Sequence, residues 1–157
     1  MKDSKKLEFQ RRLSQCNRGE MIVIMYDILF AYEEDAYGAH ERADYDNYKD
    51  AVRKAQNTLD TLIGALDFSY EISKDLYRLY VTAKKHLERA VYENRTAGLE
   101  DASRILKPLY ESFVQVAKAD TSGPLMRNTQ QVYAGMTYGK TSLNEMYSSE
   151  SNRGFLA

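Results

Sequence analysis

Met21-Ile22-Val23-Ile24-Met25-Tyr26-Asp27-Ile28-Leu29-Phe30-Ala31-Tyr32 is the longest apolar run of the chain. Twelve residues of helix rise only about 18 Å, while a bilayer core needs about 30 Å. Asp27 stands in the middle besides. The run is no membrane span and belongs in a protein core. Ahead of it, Asn17 is a candidate N-cap, and Glu20 three places on can close a capping box. A helix is predicted from Arg18 to Arg42, with one stripe at Met21, Met25, Ile28, Tyr32, Ala36 and Ala39.

Outward from this helix the period stays helical, with apolar residues at alternating steps of three and four. A second helix is predicted from Asp46 to Leu66, capped by Asp44, with a seam at Tyr48, Val52, Ala55, Leu59, Leu62 and Leu66. The third, Glu71 to Asn94, shows Ile72, Leu76, Leu79, Ala83, Leu87 and Ala90. The fourth, Ala97 to Ala119, shows Leu99, Ala102, Leu106, Leu109, Phe113 and Val116, with a bend expected near Pro108. No segment alternates as a half-buried strand does. Short connections force neighbouring helices to run antiparallel, so the expected fold is all-α, an up-down four-helix bundle over residues 17–120. Residues 1–16 form a mobile N-terminal segment in which Leu7, Phe9 and Leu13 stand among charges, as a short helix that docks on the bundle or frays from it. Residues 121–157 open with Ser122-Gly123-Pro124, hold half of the chain's eight glycines, and read as a flexible, largely irregular tail with a possible short helix at 142–147. In that tail Val132, Tyr133, Met136, Tyr138, Leu143, Met146 and Tyr147 are either spacer residues or anchors of a docking motif.

Composition narrows the chemistry. The 157 residues are 43% hydrophobic and 29% charged, enough apolar content for one core, with 22 basic and 23 acidic residues and a net charge of −1. A binder of nucleic acid or of anionic membranes needs a basic surplus to displace counterions, and there is none. The single cysteine, Cys16, excludes a disulfide framework and a cysteine zinc cluster. The start, Met1 to Lys6, lacks the apolar stretch of a secretory leader, so the chain reads as cytosolic. Ala134-Gly135-Met136-Thr137-Tyr138-Gly139-Lys140-Thr141 imitates a phosphate loop, but no strand precedes it. His40 and His86 lack the Glu-x-x-His spacing of a di-iron bundle and read as solvated flank residues. Glu33-Glu34-Asp35 reads as a solvated helix face. Neither a nucleophile–base pair, a cofactor cradle nor a metal set emerges, which argues against an enzyme.

What remains is apolar surface beyond one stripe per helix. The first helix carries Ile22, Val23, Ile24, Leu29, Phe30 and Tyr37 on other faces; the third adds Tyr77, Tyr80, Val81 and Val91; the fourth adds Ile105, Tyr110 and Val114. Such residues either bury a central helix on two sides or make a groove for a partner helix. On the groove reading the candidate partner-binding residues are Ile22, Met25, Tyr26, Leu29, Tyr77, Tyr80, Ile105 and Tyr110. Asp27, inside the run, needs a donor such as a Tyr hydroxyl or an Arg if it is buried.

Asn17-Arg18-Gly19-Glu20-Met21-Ile22-Val23-Ile24-Met25-Tyr26-Asp27 resembles the entry turn and Met-Leu-Tyr-Asp-like helix of the flagellin-specific export chaperones, the FliS family. Arg42-Ala43-Asp44-Tyr45 resembles that family's Gly-Asp turn, with Ala43 in place of the glycine. Leu66-Asp67 and Leu76-Tyr77-Arg78-Leu79-Tyr80 follow in the family's order and spacing. The resemblance covers Phe9 to Val116. It implies a cytoplasmic, non-enzymatic chaperone that holds the C-terminal segment of flagellin, blocks premature polymerisation and aids delivery to the flagellar export gate. An anti-sigma factor is a further possible partner. The family's N-terminal segment covers part of the groove, a role that would fall here to Leu7, Phe9 and Leu13. The alternative is a regulator, of anti-sigma type, that binds a helical target in the same groove.

Overall fold

The computed structural model describes residues 2–126. Among these it is all-helical, with five helices and no strand: α1 Asp3–Gln15, α2 Arg18–Glu41, α3 Tyr45–Gly64, α4 Ile72–Glu93 and α5 Ala97–Ala119. Four helices were expected, and α1 is the fifth. The sequence allows a short helix that docks or frays here, and Phe9 and Leu13 lie one turn apart on the docked helical face. Packing that face on α2 supplies the stability that 13 residues of isolated helix lack. The tail features beyond residue 126, including the possible helix at 142–147 and the phosphate-loop imitation, lie outside the described residues.

Local signals account for the helix ends. The Asn17 side chain accepts from the Glu20 amide at 2.8 Å, and the Glu20 carboxylate accepts from the Asn17 amide at 3.0 Å, so the capping box is complete. Asp44 caps α3 through the Asn47 amide at 3.3 Å. Ala43, just before it, has φ 55°, a left-handed conformation that suits glycine better than alanine. Asn94 ends α4 at φ 53°, where asparagine is tolerated.

Helices α2 and α4 each pack against both α3 and α5, closing a ring of four, while α1 lies outside against α2. The start of α3 meets the end of α4: the Tyr48 hydroxyl donates to the Arg95 carbonyl at 2.7 Å and the Ala90 carbonyl at 3.2 Å. The start of α2 meets the end of α5, where the Gly19 amide donates to Asp120 Oδ2 at 3.3 Å. Both pairs therefore run in opposite directions. Gly98 lets α5 approach α4 closely, since a Cβ there would overlap the His86 carbonyl and lie 2.8 Å from Ala90 Cβ.

The α3 seam packs as read, with Tyr48, Val52, Ala55, Leu59 and Leu62 buried. The α4 stripe needs correction. Ser73, Tyr80, Ala83, Leu87 and Ala90 face the core, whereas Ile72 and Leu79 are 67% and 39% exposed. Steps of three and four run true through 73, 76, 80, 83, 87 and 90. The expected stripe, with Ile72 and Leu79 in place of Ser73 and Tyr80, is one residue out of phase over the first turns. Helix α5 continues through Pro108, and its C-terminal end leaves the core, with Val116 61% exposed.

Candidate functional site

Helix α2 is buried on two sides. One face joins the main core through Tyr26, Leu29, Ala36 and Ala39, with Ile22 and Met25 packed at its edge. The other carries Ile24 and Ala31, which bury with Phe9 and Cys16, while Leu13, Met21 and Ile28 pack around them. Met21 and Ile28 thus belong to the α1 side rather than to the bundle seam. Of the three expected cover residues, Phe9 and Leu13 pack on α2, but Leu7 is 68% exposed. Leu7 does not fall at the three- or four-residue spacing that puts Phe9 and Leu13 on the docked face.

Asp27 links three helices. Arg12 of α1 donates to its Oδ2 at 2.6 Å, and the Tyr110 hydroxyl of α5 donates to its Oδ1 at 2.9 Å. Both donor types were expected, and both are used. Arg12 also sits over the Phe9 ring, 5.7 Å from its centre. Farther along, Lys5 pairs with Glu34 at 3.0 Å. Where α1 meets α2, the Leu125 amide donates to the Cys16 carbonyl at 3.0 Å, and Asn17 Nδ2 donates to the Asp120 and Ser122 carbonyls at 3.3 and 3.4 Å. Burial pushes the Cys16 thiol up, away from the reactive thiolate.

Behind Asp27 is a cluster of rings. Tyr26 contacts Phe30, Tyr80, Tyr110 and Phe113, with ring centres 5.8–6.3 Å apart. The Tyr26 and Tyr80 hydroxyls lie 2.8 Å from each other. Burial pushes both hydroxyls up, so neither is an acid at neutral pH. Tyr26, Leu29 and Tyr80 are at most 1% exposed, which corrects their candidacy: they are core residues and offer a partner no surface in this state. Ile22, Met25, Ile105 and Tyr110 are half-buried at the core edge, and Tyr77 stands apart, 42% exposed, against Phe68. The eight candidates therefore do not form one surface.

The hollows of the molecule follow α2 instead. One of about 460 Å³ lies among Cys16, Val23, Ile24 and Val114, and one of about 480 Å³ among Phe9, Arg12, Asp27 and Phe30. A third, of about 490 Å³, lies between α2 and α5 beside Phe30, Glu33, Tyr37 and Ser103. Arg12 lines the first two and Phe30 and Glu34 the last two, so the three hollows follow one another along α2, beside α1 and α5. Glu33, read in sequence as solvated, is 3% exposed; Ser103 Oγ donates to its Oε2 at 2.5 Å. Burial pushes its carboxyl up to about 7, against the opposing pull of Ser103 and Lys107. The histidines are not simply solvated either: His40 Nε2 meets the Asn94 carbonyl at 3.1 Å, and His86 is 3.7 Å from Asp101.

These features define an all-helical protein in which one apolar helix, α2, holds a second helix along its outer face. No helix among the described residues is long and apolar enough to cross a membrane. The chain matches the family described as "Flagellar protein FliS" over residues 1–120, and it belongs to that family of flagellar export chaperones. No curated protein matches it.

Proposed function

We propose that this protein holds the C-terminal segment of flagellin in the cytosol, keeps it from polymerising and passes it to the export gate. The segment folds as helix along the hollows that follow α2, and α1 occupies part of that path until the client arrives. The observation that carries this reading is the second apolar face of α2, where Ile24, Ile28 and Ala31 are sealed by a single helix through Phe9 and Leu13. A helix that accepts α1 there has the shape and chemistry to accept another amphipathic helix. Ile22, Met25, Ile105 and Tyr110 are the half-buried edge residues that a client would reach first.

Binding coupled to folding raises helical circular dichroism on mixing and gives a negative heat-capacity change. Titration calorimetry with the flagellin C-terminal segment checks both. Absence of binding at concentrations on the order of tens of micromolar contradicts the proposal.

A further inference from the structure

We propose that Glu33 is a polar anchor for the client: its Oε1 accepts an N–H from an amide or guanidinium side chain that enters the hollow between α2 and α5. The inference rests on the client-binding reading above and adds the chemistry of one contact. Ser103 satisfies Oε2, but among the described residues nothing donates to Oε1, which is buried. A buried carboxylate oxygen without a donor is costly, and a partner that supplies one gains from it. A hollow of about 490 Å³ borders this group, large enough for a long side chain.

The charges around it select the donor. Besides Glu33, the hollow is lined by Glu34 of α2 and Glu100 of α5, and by the cations Arg104 and Lys107 of α5. With Glu33 ionised the balance is one negative charge, so an acidic client group is disfavoured and an N–H donor fits. Tyr37, the remaining titratable neighbour, is pushed up to about 12 by burial and by Glu33, and stays neutral. Burial pushes the Glu33 carboxyl up to about 7, and a donor on Oε1 stabilises its ionised form more than its neutral one. Client binding must then release a proton and strengthen as pH rises.

The test is calorimetric titration of the full chain with the flagellin C-terminal segment at pH 6 and pH 8, in buffers of different ionisation heat. The wild type should bind roughly tenfold more tightly at pH 8 and release a proton. Glu33→Gln should bind with no such slope, and Ser103→Ala should move the slope to higher pH. His40 and His86 lie outside the hollow and are unchanged in both variants. A wild-type affinity that ignores pH, or a Glu33→Gln variant that keeps the wild-type slope, overturns the anchor while leaving the chaperone reading standing. Failure of the wild type to bind at either pH overturns both.

Discussion

The two apolar clusters that share α2 differ in depth. In the ring of α2 to α5, Tyr26, Leu29, Tyr48, Val52, Leu59, Leu87, Leu99 and Leu106 are completely sealed. Between α1 and α2, Phe9, Cys16, Ile24 and Ala31 are buried, but each keeps 3–6% of its surface in water. The first cluster draws on four helices, whereas the second hangs on one helix of 13 residues. A single buried phenylalanine is worth about 1.5–3 kcal/mol, and a part-exposed ion pair such as Arg12–Asp27 adds about 1 kcal/mol or less. If α1 is the removable cover proposed above, its docking is a local equilibrium less stable than the ring, and the face it covers is cheap to uncover.

Substitutions measured by denaturant unfolding sharpen that contrast. Leu59→Ala, in the sealed core, should cost about 3–5 kcal/mol. Phe9→Ala should cost only about 1–2 kcal/mol, because the loss is capped by the free energy of docking α1. Equal losses at the two sites would mean that α1 is part of the cooperative fold.

Glu33 lies outside both clusters, at the edge of the α2–α5 seam, and its effect depends on pH. Its native carboxyl is pushed up to about 7 from an unfolded value of 4.5. Below about 4.5 both states hold the proton, and the stabilising contribution is complete. Between about 4.5 and 7 the unfolded chain releases its proton first, and native stability falls. Glu33→Gln should therefore match the wild type near pH 4.5 and exceed it by up to roughly 3 kcal/mol at pH 8.

Asp27→Ala removes the acceptor shared by Arg12 and Tyr110 and should cost about 1–2 kcal/mol. The loss should appear chiefly as faster amide exchange in α1, with α3 unchanged. The smallest effect is expected at Ala43, whose left-handed φ is strained for a residue with a Cβ. Ala43→Gly should raise stability by about 1 kcal/mol or less in thermal melts, without touching either cluster.

How far the sequence revealed this arrangement follows from the same contrast. Helix α3 has one apolar face, and its seam was legible residue by residue. From Met21 to Tyr32 α2 is apolar on nearly every face, so no period separates its two seams, and the stripe read from sequence puts Met21 and Ile28 on the wrong one. The choice between a helix buried on two sides and an open groove stayed undecided for the same reason. The resemblance to the family offers Leu7, Phe9 and Leu13 as a cover; of these Phe9 and Leu13 pack on α2 and Leu7 does not. Glu33 was not legible. It sits in an acidic run beside Glu34, which is exposed, and its burial comes from Ser103, 70 residues away. Tyr26 and Tyr80 read as groove residues because the anchors of a helix-in-groove binder are aromatic. Each hydroxyl found the other, and the pair went inside.

On the proposed function, α1 and the flagellin C-terminal segment compete for the outer face of α2. Hydrogen exchange of the full chain, with and without that segment, reads this competition out. On binding, the amides of residues 3–15 should exchange faster, while those of 21–31 in α2 stay protected or become more so. Unchanged or stronger protection of 3–15 in the bound state would contradict it, because the client would then be held elsewhere with α1 still in place.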